Sequence, residues 1–152
     1  MRTSTATVAR MLNELRVGEF LAALGERTPT PASGAATALT GALAAGLTEL
    51  AGRFAGDEEA VIGAKALVTQ LVELADDDAE AYTAFMAERS DETRARIIQV
   101  PQQIALHADE VAELAEHVRA QLTSSVAGDA EAAVELARAA ARVARRLAEL
   151  NA

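Results

Sequence analysis

The sequence predicts an all-α fold, and three observations carry that prediction. Hydrophobic residues make up 51% of the 152 positions but aromatics only 3%, with no Trp, so the apolar surface is mostly Ala, Leu and Val. Such side chains fill space best where helix backbones approach closely. Ala and Leu are also strong helix formers, and β-branched clusters are scarce. Finally, apolar residues recur at spacings of three and four, the period of one helical face. The length suits one domain with a real core, so residues 1–152 read as a single domain of about five helices.

Val17, Phe20, Leu21 and Leu24 share one face of a short first helix, which Gly25 can stop. The residues before it leave room for a further helix or a strap. Thr28-Pro29-Thr30-Pro31-Ala32-Ser33-Gly34 follows as a loop, because each proline biases its predecessor away from helix; Ser33 or Thr30 can cap what comes next. From residue 35 to about 54 the chain is apolar nearly all round and carries Gly41, Gly46 and Gly52, each costing a helix about 1 kcal/mol relative to Ala. Close packing is the expected compensation. A helix apolar on every side is not satisfied by one or two neighbours in so short a chain, which predicts burial in the core of a homodimer.

Gly56 and Asp57 read as a stop and a cap, and a long helix runs from there towards Arg89. Its stripe is Ala64, Leu67, Leu71, Leu74, Asp78, Ala81 and Phe85, so Asp78 falls on the face that the leucines assign to the core, while Asp76, Asp77 and Glu80 fall elsewhere. Ser90 or Asp91 can cap a fourth helix with Ile97, Pro101, Ile104, Ala108, Val111, Ala115, Val118 and Leu122 on one side. Pro101 should kink that helix or mark its true start. Gly128 and Asp129 introduce a last helix, with Asp129 as N-cap and a stripe of Ala133, Leu136, Ala140, Val143, Leu147 and Leu150.

Thirteen Arg and one Lys against 23 acidic residues leave a formal charge of −9, which argues against nucleic acid or an anionic membrane as partner. The absence of Cys excludes disulfides, thiolate chemistry and a cysteine zinc site. Residues 1–16 lack the apolar run of a signal peptide, and the most apolar stretch, residues 32–51, is built from Ala, Gly and Thr and carries Glu49. A cytoplasmic protein is the expectation. His107 and His117 are ten residues apart on one helix and share no face, so a local metal pair is not expected. Glycine-rich phosphate motifs and a nucleophile elbow are missing. Arg138, Arg142, Arg145 and Arg146 read as a solvated face pairing with Glu131, Glu135 and Glu149, or as an anion patch. Asp78 is the informative residue, because a carboxylate on an apolar stripe must be paired, protonated or functional to offset its desolvation. Structural pairing and a catalytic or ligand-binding role are both open at this point.

The stretch VGEFLAALGERTPTPASGAATALTGALAAGLTEL resembles the opening of the formiminotransferase-cyclodeaminase C-terminal domain family, which includes methenyltetrahydrofolate cyclohydrolases. The order of features is similar too. A short helix with Phe, a threonine-proline-x-proline loop and a small-residue helix precede Asp78-Ala79-Glu80-Ala81-Tyr82, then Val100-Pro101, then Gly128-Asp129 opening an Ala-rich helix. The chain departs from the family where proline is usually followed by three glycines and a serine: here Pro31-Ala32-Ser33-Gly34-Ala35 puts a Cβ at two of the glycine positions. The asparagine expected late in the last helix falls near Leu147 instead.

The resemblance implies a multihelical, intertwined homodimer that binds a tetrahydrofolate derivative as substrate, with no metal and no covalently held cofactor. It implies chemistry at an amidine carbon-nitrogen bond, as a methenyltetrahydrofolate cyclohydrolase or a formiminotetrahydrofolate cyclodeaminase. A partly buried carboxylate suits that task, and the resemblance points to Asp78 first and Asp129 second as catalytic groups. Thr28, Pro31, Ser33, Gly34, Tyr82 and Pro101 are the implied substrate contacts. Two other readings compete: a recruited family member working on a non-folate imine or iminium substrate, and a non-catalytic helical dimerisation module.

Overall fold

The structure, a computed structural model, describes residues 10–152. It is all-α: a 3-10 turn at Leu12–Glu14, then α1 (Val17–Gly25), α2 (Ser33–Ala55), α3 (Glu58–Ala87), α4 (Asp91–Arg119) and α5 (Ala127–Asn151), with no strand among the described residues. The further helix or strap expected before α1 falls mostly on residues outside that range. Its described part, the 3-10 turn, is pinned to α3 by Leu12 N donating to Asp76 Oδ1 at 2.8 Å. No helix among the described residues is long and apolar enough to cross a membrane.

α2 is the central element and packs on α3, α4 and α5, while α4 also packs on α3 and α5. The glycine argument applies at two of three positions. A Cβ at Gly41 would lie 3.2 Å from Leu71 Cδ1, and one at Gly52 would lie 3.2 Å from Val61 Cγ2, so both let α3 approach closely; Gly46 faces open space. Buried Thr48 returns its hydroxyl to Ala44 O at 2.9 Å, the local solution for a hydroxyl in a tight interface. Gly56, at φ 69°, ends α2 in the left-handed region that glycine adopts without strain. Asp57 then caps α3 through Ala60 N at 3.0 Å and also accepts from Gln121 and His117 near the end of α4, contacts that hold its carboxyl below the usual carboxylate range. Leu71, Ile104, Val111 and Val118 fill the centre of the core.

Three local expectations are corrected. Neither Ser33 nor Thr30 caps α2: Ser33 is its first residue, and Ala32 is a cap with no side-chain bond. Pro101 does not start α4, which begins ten residues earlier behind a Ser90–Thr93 capping box. The helix runs through a buried Pro101 because another side chain takes the carbonyl that proline leaves unpaired, as described below. Asp129 is not an N-cap: turns at 124–126 lead straight into α5, placing Asp129 inside its first turn.

The last stripe is split. α5 buries Ala130, Ala133, Ala137, Ala140, Ala144 and Ala148, because small side chains let it lie close to α2 and α4. Leu136, Val143 and Leu150 instead remain 38%, 45% and 63% exposed. α2 likewise leaves Leu43 and Phe54 68% and 65% exposed, so both helices carry an apolar face that no described residue covers. The arginine group of α5 is a solvated face: Arg138 pairs with Glu116 and Glu135, Arg145 with Asp109, and Arg146 with Glu149. Such exposed pairs contribute about 0–1 kcal/mol each.

Candidate active site

The N-terminus of α2, the C-terminal third of α3, the first part of α4 and the end of α5 converge on a pocket of about 220 Å³. Asp78 and Tyr82, one turn apart on α3, face it together with Ser33 and Gly34 of α2. Ile97 and Pro101 supply the α4 wall, Leu147 and Asn151 the α5 wall, and Pro29, Thr30 and Ala32 the loop side.

Asp78 reaches this place because its row on α3 is the core row, and α2 makes room for it. A Cβ at Gly34 would sit within 3.0 Å of the Asp78 carboxyl atoms, closer than real Cβ atoms come to a neighbour, so only glycine allows the carboxyl to lie against this turn of α2. The same turn lacks a side-chain cap, and a helix N-terminus attracts negative charge. Burial works the other way and dominates: it pushes the Asp78 carboxyl up from 3.8 to about 6. No described Arg, Lys or His lies within salt-bridge distance of Asp78, and no described group donates a hydrogen bond to it. It is therefore a half-buried carboxyl able to gain or lose a proton near neutrality.

Of the residues singled out in the sequence, Asp78, Ser33, Gly34, Tyr82 and Pro101 come together here. Thr28 and Pro31 do not line the pocket; their neighbours Pro29, Thr30 and Ala32 do, and Thr28 Oγ1 donates to Thr30 O at 3.2 Å. Asp129 stands apart. It begins the helix whose other end lines the pocket, and eighteen residues of helix separate it from Leu147, about 27 Å. Ile97, Leu147 and Asn151 are lining residues that sequence reading does not find. Asn151 alone left a signal, since a proline within a helix strands the carbonyl four residues back and calls for an outside donor. Among the described residues, no three His, Asp or Glu side chains cluster as a metal ion would require.

The model of the formiminotransferase-cyclodeaminase family matches residues 16–152. The chain belongs to this family. A solved structure with the same fold is the formiminotetrahydrofolate cyclodeaminase of Thermotoga maritima, similar at a TM-score of 0.87 and 23% identity over 92% of this chain and 79% of that one. No curated protein matches the chain significantly. In the loop, Gly34 is buried against Asp78, whereas Ala32 and Ser33 are exposed.

Proposed function

We propose that the protein is a folate-dependent one-carbon enzyme acting at an amidine carbon-nitrogen bond, of the methenyltetrahydrofolate cyclohydrolase or formiminotetrahydrofolate cyclodeaminase type. The observation that carries the proposal is the Asp78 carboxyl, unpaired, raised to about 6 and seated in a pocket against Gly34. An amidinium carbon is cationic, and a carboxylate beside it stabilises that charge more strongly in a partly dry site than in water. A group titrating near the working pH also transfers protons efficiently in both directions.

In the hydrolytic reaction, water forms a C–O bond to the methenyl carbon while Asp78 takes its proton. One C–N bond then breaks, the departing ring nitrogen receives that proton, the hydroxyl proton leaves to solvent as the formyl C=O forms, and formyltetrahydrofolate results. In the cyclodeaminase reaction, the second folate nitrogen attacks the formimino carbon, its proton passes through Asp78 to the departing amino group, and ammonia leaves. Asp129 lies too far away within one chain to share either task, so the proposal rests on Asp78. At about 220 Å³ the pocket is smaller than the roughly 300–1,000 Å³ typical for a whole drug-sized ligand, which suits enclosure of the reacting ring alone. The side chains at Ala32 and Ser33 favour a second reading, a family member recruited to a smaller non-folate amidine or iminium.

The two readings separate in one experiment. With methenyltetrahydrofolate the protein is expected to gain thermal stability by linkage and to discharge the methenyl absorbance, or with formiminotetrahydrofolate to release ammonia. Absence of both stabilisation and turnover with the two compounds would overturn the folate reading.

The proposal includes a homodimer closed over the uncovered faces of α2 and α5. A shallow groove between Ala36, Thr37 and Thr40 of α2 and Ala139, Ala140 and Val143 of α5 runs between the two helices. Burying each large apolar side chain contributes about 1.5–3 kcal/mol, so the exposed Leu43, Phe54, Leu136, Val143 and Leu150 of each copy favour association strongly. Light scattering at micromolar concentration should give twice the chain mass; the mass of one chain would refute the dimer.

A further inference from the structure

The backbone of one helix dictates the polarity of a side chain in the pocket. Proline has no N–H, so Pro101 cannot donate to the carbonyl four residues earlier, and Ile97 O loses its helical partner. Asn151 Nδ2 donates to that carbonyl at 2.8 Å from the end of α5. A carbonyl oxygen only accepts, so the nitrogen of the Asn151 amide must face it, and the amide cannot flip without losing the bond. Oδ1 is then turned away from Ile97 O, and no described group donates to it. All three residues of this arrangement line the pocket together with Asp78.

We infer that Asn151 is a ligand-binding residue, presenting Oδ1 to the pocket as a fixed acceptor for an N–H of a cationic, amidine-bearing ligand. The ligand's identity rests on the folate reading, whereas its polarity rests on the pocket alone. A carboxylate and an oriented amide oxygen are both acceptors, so together they select positive charge and N–H donors over a neutral ligand that offers only acceptors. Pro101 thereby has a role at a distance: removing one backbone donor compels Asn151 to keep its oxygen free.

The test separates support of the backbone from contact with the ligand. Asn151→Leu alone leaves Ile97 O unpaired and is expected to lower Tm. Pro101→Ala gives that carbonyl a helical N–H again, so the Pro101→Ala/Asn151→Leu double variant should melt with the Pro101→Ala single variant. Formamidinium, the smallest amidinium, is then titrated into each 15N-labelled protein while the Gly34 amide resonance beside Asp78 is followed. Binding to the double variant, and to Asn151→Leu at a temperature where it is folded, is expected to be about tenfold to a hundredfold weaker than to wild type, the loss for one hydrogen bond to a charged ligand. Wild-type affinity in both would reduce Asn151 to a backbone prop and overturn the inference, as would a wild-type Gly34 resonance that formamidinium leaves unmoved. Wild-type protein that binds formamidinium through Asn151 yet ignores folates would remove the folate reading and leave this one standing.

Discussion

Gly34→Ala is expected to abolish turnover while leaving most of the fold intact. The added Cβ would fall within 3.0 Å of the Asp78 carboxyl atoms, and both residues sit on long helices whose backbones are fixed by packing on each other. The short Asp78 side chain is therefore the part that must move, and its new position is away from the turn of α2 against which it lies. Losing a positioned acid-base group lowers a rate by about 10²–10⁴-fold, and fitting a methyl group into an occupied contact costs about 1–3 kcal/mol of stability. Steady-state kinetics beside urea denaturation would register both effects. A further signature separates displacement from general damage: once the carboxyl turns into solvent, the inflection near pH 6 in the pH-rate profile should move down towards the ordinary value of 3.8. A variant with wild-type kcat/KM would show that Asp78 need not lie against α2 to work.

The same contact shows how far the sequence could be read. Helix periodicity alone put Asp78 on the core side of α3, because Leu67, Leu71 and Leu74 mark that side without ambiguity. Gly56 and Asp57, and Ser90 at the start of α4, were legible as stops and caps because their chemistry is local. Features that depend on a distant partner were not. α5 carries two apolar rows, one of alanines and one of larger side chains, and nothing within a single helix says which row its neighbours take; hydrophobicity favoured Leu136 and Val143, whereas close approach to α2 and α4 selected Ala137, Ala144 and Ala148. Asn151 joins Ile97 across 54 positions of sequence, so its place in the pocket emerges only once α4 and α5 are side by side. Asp129 is the converse case: an acidic residue after a glycine has the pattern of a cap, yet turns upstream had already begun the helix.

The α2 N-terminus links these local features to the chemistry. With Ala32 as its cap residue, α2 has no side-chain oxygen of its own over the first turn. A serine or threonine cap there would satisfy one of the free N–H groups and weaken the local positive field. Leaving the turn uncapped costs the helix some stability but offers Asp78 partial compensation for its desolvation, and it does so without a cation. That distinction matters for a carboxylate meant to meet a cationic substrate, because an arginine in the same place would repel the substrate and hold the carboxyl too acidic to exchange protons near neutrality.

Asp78→Asn is the substitution in which function and stability should part most clearly. Asparagine matches the shape of the carboxyl but can neither ionise nor accept a proton at the reacting carbon, so kcat/KM is expected to fall by about 10²–10⁴-fold. Stability should change in the opposite sense. The folded-state value of about 6 lies above the ordinary 3.8, so between those two values the native protein holds more protons than the unfolded chain. The contribution of the Asp78 proton to stability is thus fully present below about pH 4 and lost as pH rises through 6. At full value that displacement corresponds to about 3 kcal/mol; solvent reaching the pocket reduces it to about 1–2 kcal/mol. The Asp78→Asn variant avoids the charge and should therefore melt about 2–6 °C higher than wild type at pH 7, with the difference vanishing near pH 4. Thermal melts of both proteins across that range, with turnover measured on the same samples, check the argument. A variant that melts lower than wild type at every pH would mean that the carboxyl supports the fold, and full activity would remove Asp78 from the reaction; the expected pair, lost turnover with gained stability, is what a charge kept in an unfavourable place for the sake of chemistry produces.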